Sequence, residues 1–173
     1  MFKRTQTSII PLLILVLAFS SWGVLQVAAS HQVATLEIPS IQVSAPVVSV
    51  PFSTAAGTWD VAHLRWNVGH LSGTANVGQP GNVAFGAHSL AMDGSVDVFY
   101  HLNSVNVGDS VFVTTNGVRG EYRVVETKNV DMYDLSILNP TGPDRLTIFT
   151  CDPLSFDGTD YQRRDVVVAV PVG

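Results

Sequence analysis

From Ile9 to Ala29 no position of the chain is charged, and Leu, Ile, Val and Ala dominate. That is about the 20 residues that a membrane-spanning helix needs. Lys3 and Arg4 precede the run and no basic residue follows closely, so the positive-inside rule puts residues 1–8 in the cytoplasm and Ser30 onward outside. A cleaved signal peptide is the rival, with Ile9–Phe19 as its apolar core and Val27-Ala28-Ala29 near the cleavage point. The apolar run continues past Ser20-Ser21 through Trp22, Val24, Leu25 and Val27, which favours an uncleaved anchor over 9–29. Either way residues 30–173 are exported as one extracellular domain.

Beyond Ser30 the apolar spacing shortens to the period of strands. Thr35–Ile38 alternates and stops at Pro39, and Ile41–Ser44 and Val47–Val50 flank Pro46. Val83-Ala84-Phe85 follows the turn-rich Gly78-Gln79-Pro80-Gly81-Asn82. Val111–Thr115, Asn116-Gly117 and Val118–Val125 read as a hairpin, because both central positions of its tight turn need positive φ. Leu146–Thr150 and Val166–Val170 complete the set, the last strand opening on Arg163-Arg164. Only Asp97–Leu102 and Asp131–Leu138 read as helical turns. The pattern predicts a mostly β domain, a barrel or sandwich, with one or two short helices behind an N-terminal transmembrane helix.

The 46% hydrophobic and 13% charged content of the 173 residues fits an anchored chain better than a purely soluble one. A formal charge of −5, with Lys and Arg scattered, excludes a nucleic-acid partner. The chain holds a single cysteine, so the exported domain has no internal disulfide and no cysteine-based zinc site. An exported fold without disulfides suggests a monoderm bacterial surface.

That cysteine, Cys151, ends the run Arg145–Thr150, and a lone cysteine is commonly just a buried apolar residue. Its place at a strand end near guanidinium groups opens a second reading, as a nucleophile that needs cationic or basic neighbours. Among the five histidines, His31 belongs to the tether, His63 and His70 to a polar stretch, and His101 to a helical turn. His88 follows Val83–Phe85 through Gly86-Ala87, where small residues let the chain turn toward an open rim. Position alone leaves His88 divided between a structural residue and a catalytic base. Strand alternation puts Arg164, Val166 and Val168 on one face, and Arg163, Asp165 and Val167 on the other. One guanidinium can therefore face Cys151 as an oxyanion donor, while the other is solvated or paired with Asp160 or Asp165.

Thr147-Ile148-Phe149-Thr150-Cys151 resembles the Thr-Leu-x-Thr-Cys signature of sortases, the cysteine transpeptidases of Gram-positive-type cell surfaces, with Ile148 in the Leu position. Leu36–Ile41 resembles their first strand and its Ile-Pro turn, and Gly81-Asn82-Val83 leading to His88 resembles the strand that delivers the histidine. Gly108-Asp109, Pro140 and Arg145-Leu146 fit the same order, as does Arg164 before Val166–Ala169. One departure is Ala87, where most sortases carry Gly just before the histidine. Ala has no easy access to positive φ. The stretch Thr58–Gly78 matches loosely and is expected near the substrate groove.

The resemblance implies a closed sortase-type β-barrel in which Cys151, His88 and Arg164 are catalytic and Thr150 shapes the substrate site. It also implies cleavage of a Leu-Pro-x-Thr-Gly-like sorting signal through a thioacyl intermediate. The product is then joined to an amino acceptor on a cell-wall precursor or a pilin. Partners are thus surface proteins or pilins bearing such signals. The alternative is a weak or inactive peptide-binding module on the same barrel. An L,D-transpeptidase expects His and Gly shortly before its cysteine, and a papain-like peptidase expects an early, helical cysteine; Cys151 fits neither. His63 and His70 are too far apart for one helical turn of a metal site. No cofactor is expected. Some sortases bind calcium, and Asp93, Asp97, Glu121, Glu126, Asp131 and Asp134 are available, but no spacing singles out a site.

Overall fold

A computed structural model describes residues 34–173. The anchor and tail expected over 1–29 lie outside the described residues. Among the described residues no helix is long and apolar enough to cross a membrane.

Ten strands follow in chain order: β1 (Ala34–Ile38), β2 (Val43–Val50), β3 (Phe52–Ser53), β4 (Thr58–Trp59) and β5 (Val68–Leu71), then β6 (Asn82–Gly86), β7 (Ser110–Thr115), β8 (Val118–Asp131), β9 (Arg145–Cys151) and β10 (Arg163–Pro171). Eight close a barrel in the order β1-β2-β5-β6-β9-β10-β8-β7, and β3 pairs only with β4. The alternation of strand side chains sorts the core. Leu146 and Ile148 of β9, with Val167 and Ala169 of β10, join Leu36, Phe85 and Val111 inside the barrel. The opposite face carries two smaller clusters outside it, one with Leu64, Leu71 and Ala84, the other with Ile137, Val166 and Val168. Leu138 and Phe149 pack against both.

The expected strands are present, and several run differently. Ile41 belongs to a 3-10 turn, Pro39–Ile41, and one strand passes straight through Pro46. Pro46 pairs with Thr35 of β1 one residue before β5 joins on the other side at Val47, so a missing N–H is tolerated there. β8 continues to Asp131, which shortens the second expected helical turn to Leu135–Leu138. The first is a series of turns ending in Leu102–Ser104. Asn116 and Gly117 take φ of 51° and 77°, as the hairpin turn demands.

A buried polar bridge ties the strands beneath the outer clusters. Thr147 donates its hydroxyl to Asn82 Oδ1 at 2.7 Å. The Asn82 amide donates to the carbonyls of Ile137 and Asn139 at 2.9 and 3.1 Å. Asn82 and Thr147 are both buried, and their bonds anchor the Leu135–Leu138 turn against β6 and β9.

Candidate active site

The three residues singled out as catalytic come from the ends of three neighbouring strands. β9 and β10 run antiparallel, and their register sets Arg164 directly opposite Cys151. β6 runs parallel to β9, with Gly86 level with Phe149. His88, two residues past Gly86, therefore emerges level with Cys151, two residues past Phe149. All three line one cleft of about 180 Å³ on the outside of the barrel.

Close packing at the floor depends on one glycine. A Cβ at Gly86 would meet the Phe149 ring at 3.1 Å, tighter than ordinary contact, so glycine lets the ring lie across β6. Ala87, by contrast, is not among the residues at positive φ. Its N–H points to the Phe149 carbonyl at 3.4 Å, and its carbonyl accepts the Thr150 hydroxyl at 2.8 Å. The Ala in place of Gly is thus free of backbone strain. Thr150 is buried, and it fixes the turn before the histidine from the cysteine's own strand.

Arg164 lies along the outer face with its Cζ 5.8 Å from the centre of the Phe149 ring. Its Nε is buried without an acceptor, and among the described residues no carboxylate pairs with it. A guanidinium opposite a sulfur and without a carboxylate partner can donate to an oxygen that enters the cleft. Arg163 turns away, as alternation requires, though not to Asp160 or Asp165. It donates instead to the Asn129 side chain and, at 2.8 Å, to the Asn129 carbonyl. Asn129 relays the contact to Asp165 at 2.7 Å and to Asp152 at 3.0 Å.

Burial pushes the Cys151 thiol up from its ordinary range, the Arg164 charge opposes that rise, and Asp160 adds to it. The resting group at neutral pH is therefore the thiol. His88 has its Nε2 2.9 Å from the carbonyl of Val61. A carbonyl only accepts, so Nε2 carries hydrogen and Nδ1 is the remaining nitrogen.

The cleft walls come from two stretches that the sequence placed only loosely. Trp59, Val61, Leu64 and Leu71 form one wall, within the segment expected near the groove, and Leu135 and Leu138 form the other. Val61, whose backbone meets the histidine, gave no signal in the sequence because a carbonyl carries no residue identity. Among the described residues the other histidines do not line the cleft. His63 and His101 are exposed. His70 sits on β5 rather than in a solvated loop, bonded to the Ala75 carbonyl at 2.8 Å and packed on Phe85. His31 lies outside the described residues. The six acids weighed for calcium are engaged separately: Asp93 with Arg65, Glu121 with Arg123, Glu126 with Lys128, and Asp97, Asp131 and Asp134 with backbone amides. Among the described residues no three His, Cys, Asp or Glu side chains converge on a metal position.

A family model described as the sortase domain matches residues 36–172. The chain belongs to the sortase family. Among solved structures, sortase A of Corynebacterium diphtheriae in a lid-mutant form is similar at 26% identity and a TM-score of 0.65, over 82% of this chain and 70% of that one. Sortase A of Listeria monocytogenes is similar at 25% identity and 0.65, over 82% and 87%. Sortase C-1 of Actinomyces oris is similar at 29% identity and 0.65, over 81% and 73%. No sequence among curated proteins matches. The closed barrel of this sortase is the shared architecture, and the cleft over β6, β9 and β10 is where its chemistry is to be sought.

Proposed function

We propose that this sortase is a membrane-anchored cysteine transpeptidase that cleaves a sorting signal of the Leu-Pro-x-Thr-Gly type and transfers the upstream protein to an amine. The observation that carries the reading is the cross-strand pair of Cys151 and Arg164, which line the same cleft as His88, with the Arg164 guanidinium paired to no carboxylate among the described residues.

In this mechanism the Cys151 thiolate adds to the carbonyl carbon of the threonine, and Arg164 donates to the oxyanion so formed. Collapse breaks the Thr–Gly C–N bond, and His88, which holds at Nδ1 the proton taken from the Cys151 thiol, gives that proton to the departing amine. A thioester then links the threonine to Cys151. An amino group of a cell-wall precursor or a pilin attacks that thioester, His88 takes the amine's proton, and the sulfur leaves as thiolate. The apolar walls at Trp59, Leu64, Leu71 and Leu138 suit the apolar part of such a signal. The raised Cys151 thiol keeps the resting nucleophile from reacting with stray electrophiles, at the cost of a smaller reactive fraction.

The test incubates the full-length chain, in mild detergent, with a panel of Leu-x-x-Thr-Gly peptides and an amine acceptor. The expected result is a thioacyl adduct on Cys151 by mass spectrometry, an amide product, and no adduct in Cys151→Ala. Peptide binding without any adduct or product would instead identify a peptide-binding module.

A further inference from the structure

The segment from β4 to β5 walls the cleft and is hydrogen-bonded to the His88 ring at the Val61 carbonyl. That oxygen also accepts from Leu64 N–H at 3.2 Å, and Leu64's carbonyl accepts from Asn67 N–H at 2.7 Å, so two successive turns present it. Trp66 lies within the second of these turns with φ of +60°, a left-handed conformation that a bulky residue rarely adopts. Such a conformation persists where its surroundings hold it. The hold here is Asp97, 3% exposed, whose Oδ1 accepts from Trp66 N–H at 3.0 Å and from Val98 N–H at 2.7 Å. An outer clasp, Arg65 to Asp93 at 3.1 Å, is half exposed and contributes little.

Asp97 is itself tied to the histidine's own loop. Its N–H donates to the Ser89 carbonyl at 2.9 Å, and Phe99 N–H donates to the His88 carbonyl at 3.1 Å. His88 is therefore gripped from its backbone by one arm of a loop, while the other arm fixes the segment that meets its ring. Asp97 joins the two arms.

We propose that Asp97 is a positioning residue for His88. It holds the Trp66 amide so that the Val61 carbonyl takes the Nε2 hydrogen, which leaves Nδ1 as the nitrogen that exchanges protons with substrate. This assignment rests on the transpeptidase reading for its consequence, and on the hydrogen-bond geometry alone for the link itself. Val61 does for this imidazole what a carboxylate does in other cysteine and serine sites: it fixes tautomer and ring orientation.

The test uses the full-length chain labelled with nitrogen-15 at histidine, with His88→Gln assigning the His88 signals. Wild type is expected to show His88 in the Nε2–H form. Asp97→Ala should lose that signature and reduce turnover about 10- to 100-fold, the usual effect of misplacing a reacting group. Asp97→Asn retains the Oδ1 acceptor and should restore both. Should Asp97→Ala fail to fold, Trp66→Pro breaks the same link from an exposed position, removing the N–H and forbidding φ of +60°. Trp66→Gly keeps the N–H and adopts that φ freely, so it should match wild type. An unchanged Nε2–H signature in Asp97→Ala and Trp66→Pro overturns the proposal, as does a lost signature with full turnover. If wild type transfers no peptide, the transpeptidase reading fails while the imidazole spectra still decide the Asp97 link.

Discussion

Thr150 donates its hydroxyl to the carbonyl of Ala87 at 2.8 Å, so the strand that carries the cysteine also fixes the residue before the histidine. Thr150 is one residue from Cys151, and Ala87 is one residue from His88. A single hydrogen bond thereby locks two chain segments about 60 residues apart at the place where, on the proposed mechanism, their side chains cooperate. Thr150→Val preserves shape and strand preference but removes the donor. Turnover should fall about 10- to 100-fold, with a stability loss of about 1–2 kcal/mol. Thr150→Ser should recover most of both. Peptide-transfer kinetics and urea unfolding of the same preparations check this.

The two adjacent arginines should behave oppositely. Arg164 stands opposite Cys151 and pairs with no carboxylate among the described residues, so Arg164→Ala should lower kcat about 10²- to 10³-fold. Arg164→Lys should rescue poorly, because it keeps charge but loses the planar fork. Arg163 is exposed and bonded to Asn129, so Arg163→Ala should stay within about twofold of wild type. Equal losses in the two alanine variants would remove the proposed oxyanion role.

The pH dependence of thiol reactivity follows from the three influences on Cys151. Burial raises its pKa above the ordinary thiol value, so alkylation by iodoacetamide should be slow at neutral pH and rise into the alkaline range. Arg164 favours the thiolate, so Arg164→Ala should move that rise to still higher pH. Asp160 disfavours the thiolate, so Asp160→Asn should move it to lower pH. Initial alkylation rates across a pH series read both signs.

Asn82 and Thr147 form the buried bridge under the cleft, and their energies should be coupled. Asn82→Leu strands the Thr147 hydroxyl and the Ile137 carbonyl, costing about 3 kcal/mol. Thr147→Val alone strands Asn82 Oδ1. The double variant should lose less than the sum of the two, since the Thr147 hydroxyl and the Asn82 Oδ1 that the single changes strand are then both gone. Urea midpoints of the four proteins complete the cycle.

Much of the barrel was legible because its strands alternate plainly. β7 and β8 joined by Asn116-Gly117, β9 ending at Cys151 and β10 opening on its arginines all follow from local pattern. β5 was not legible. Val68-Gly69-His70-Leu71 is four residues long and interrupted by a glycine and a histidine, and only its pairing with β2 and β6 makes it a strand. The extension of β8 to Asp131 escaped for a related reason. Glu126, Thr127, Lys128 and Asn129 carry no apolar alternation, yet β10 supplies them a partner across its full length. In the site, the sequence singled out His88, Cys151 and Arg164, which line one cleft, whereas the Val61 carbonyl was hidden because any residue could offer it. Asp97 was visible only as one more acid, since its burial and its grip on Trp66 depend on a loop closing over a distant turn. Ala87, a departure the sequence marked only as closed to positive φ, is accommodated because the backbone there does not take one.

The antiparallel ladder between β8 and β10 has a practical corollary. Arg164 pairs with Val130 near one end of β8, and Tyr122 pairs with Pro171 toward the other, so the Asn116-Gly117 tip projects from the rim remote from the sulfur. A fluorophore, affinity handle or bead attached at that exposed tip would leave the entrance to the cleft unobstructed, and β-strand staves between the two rims would insulate the chemistry from the graft.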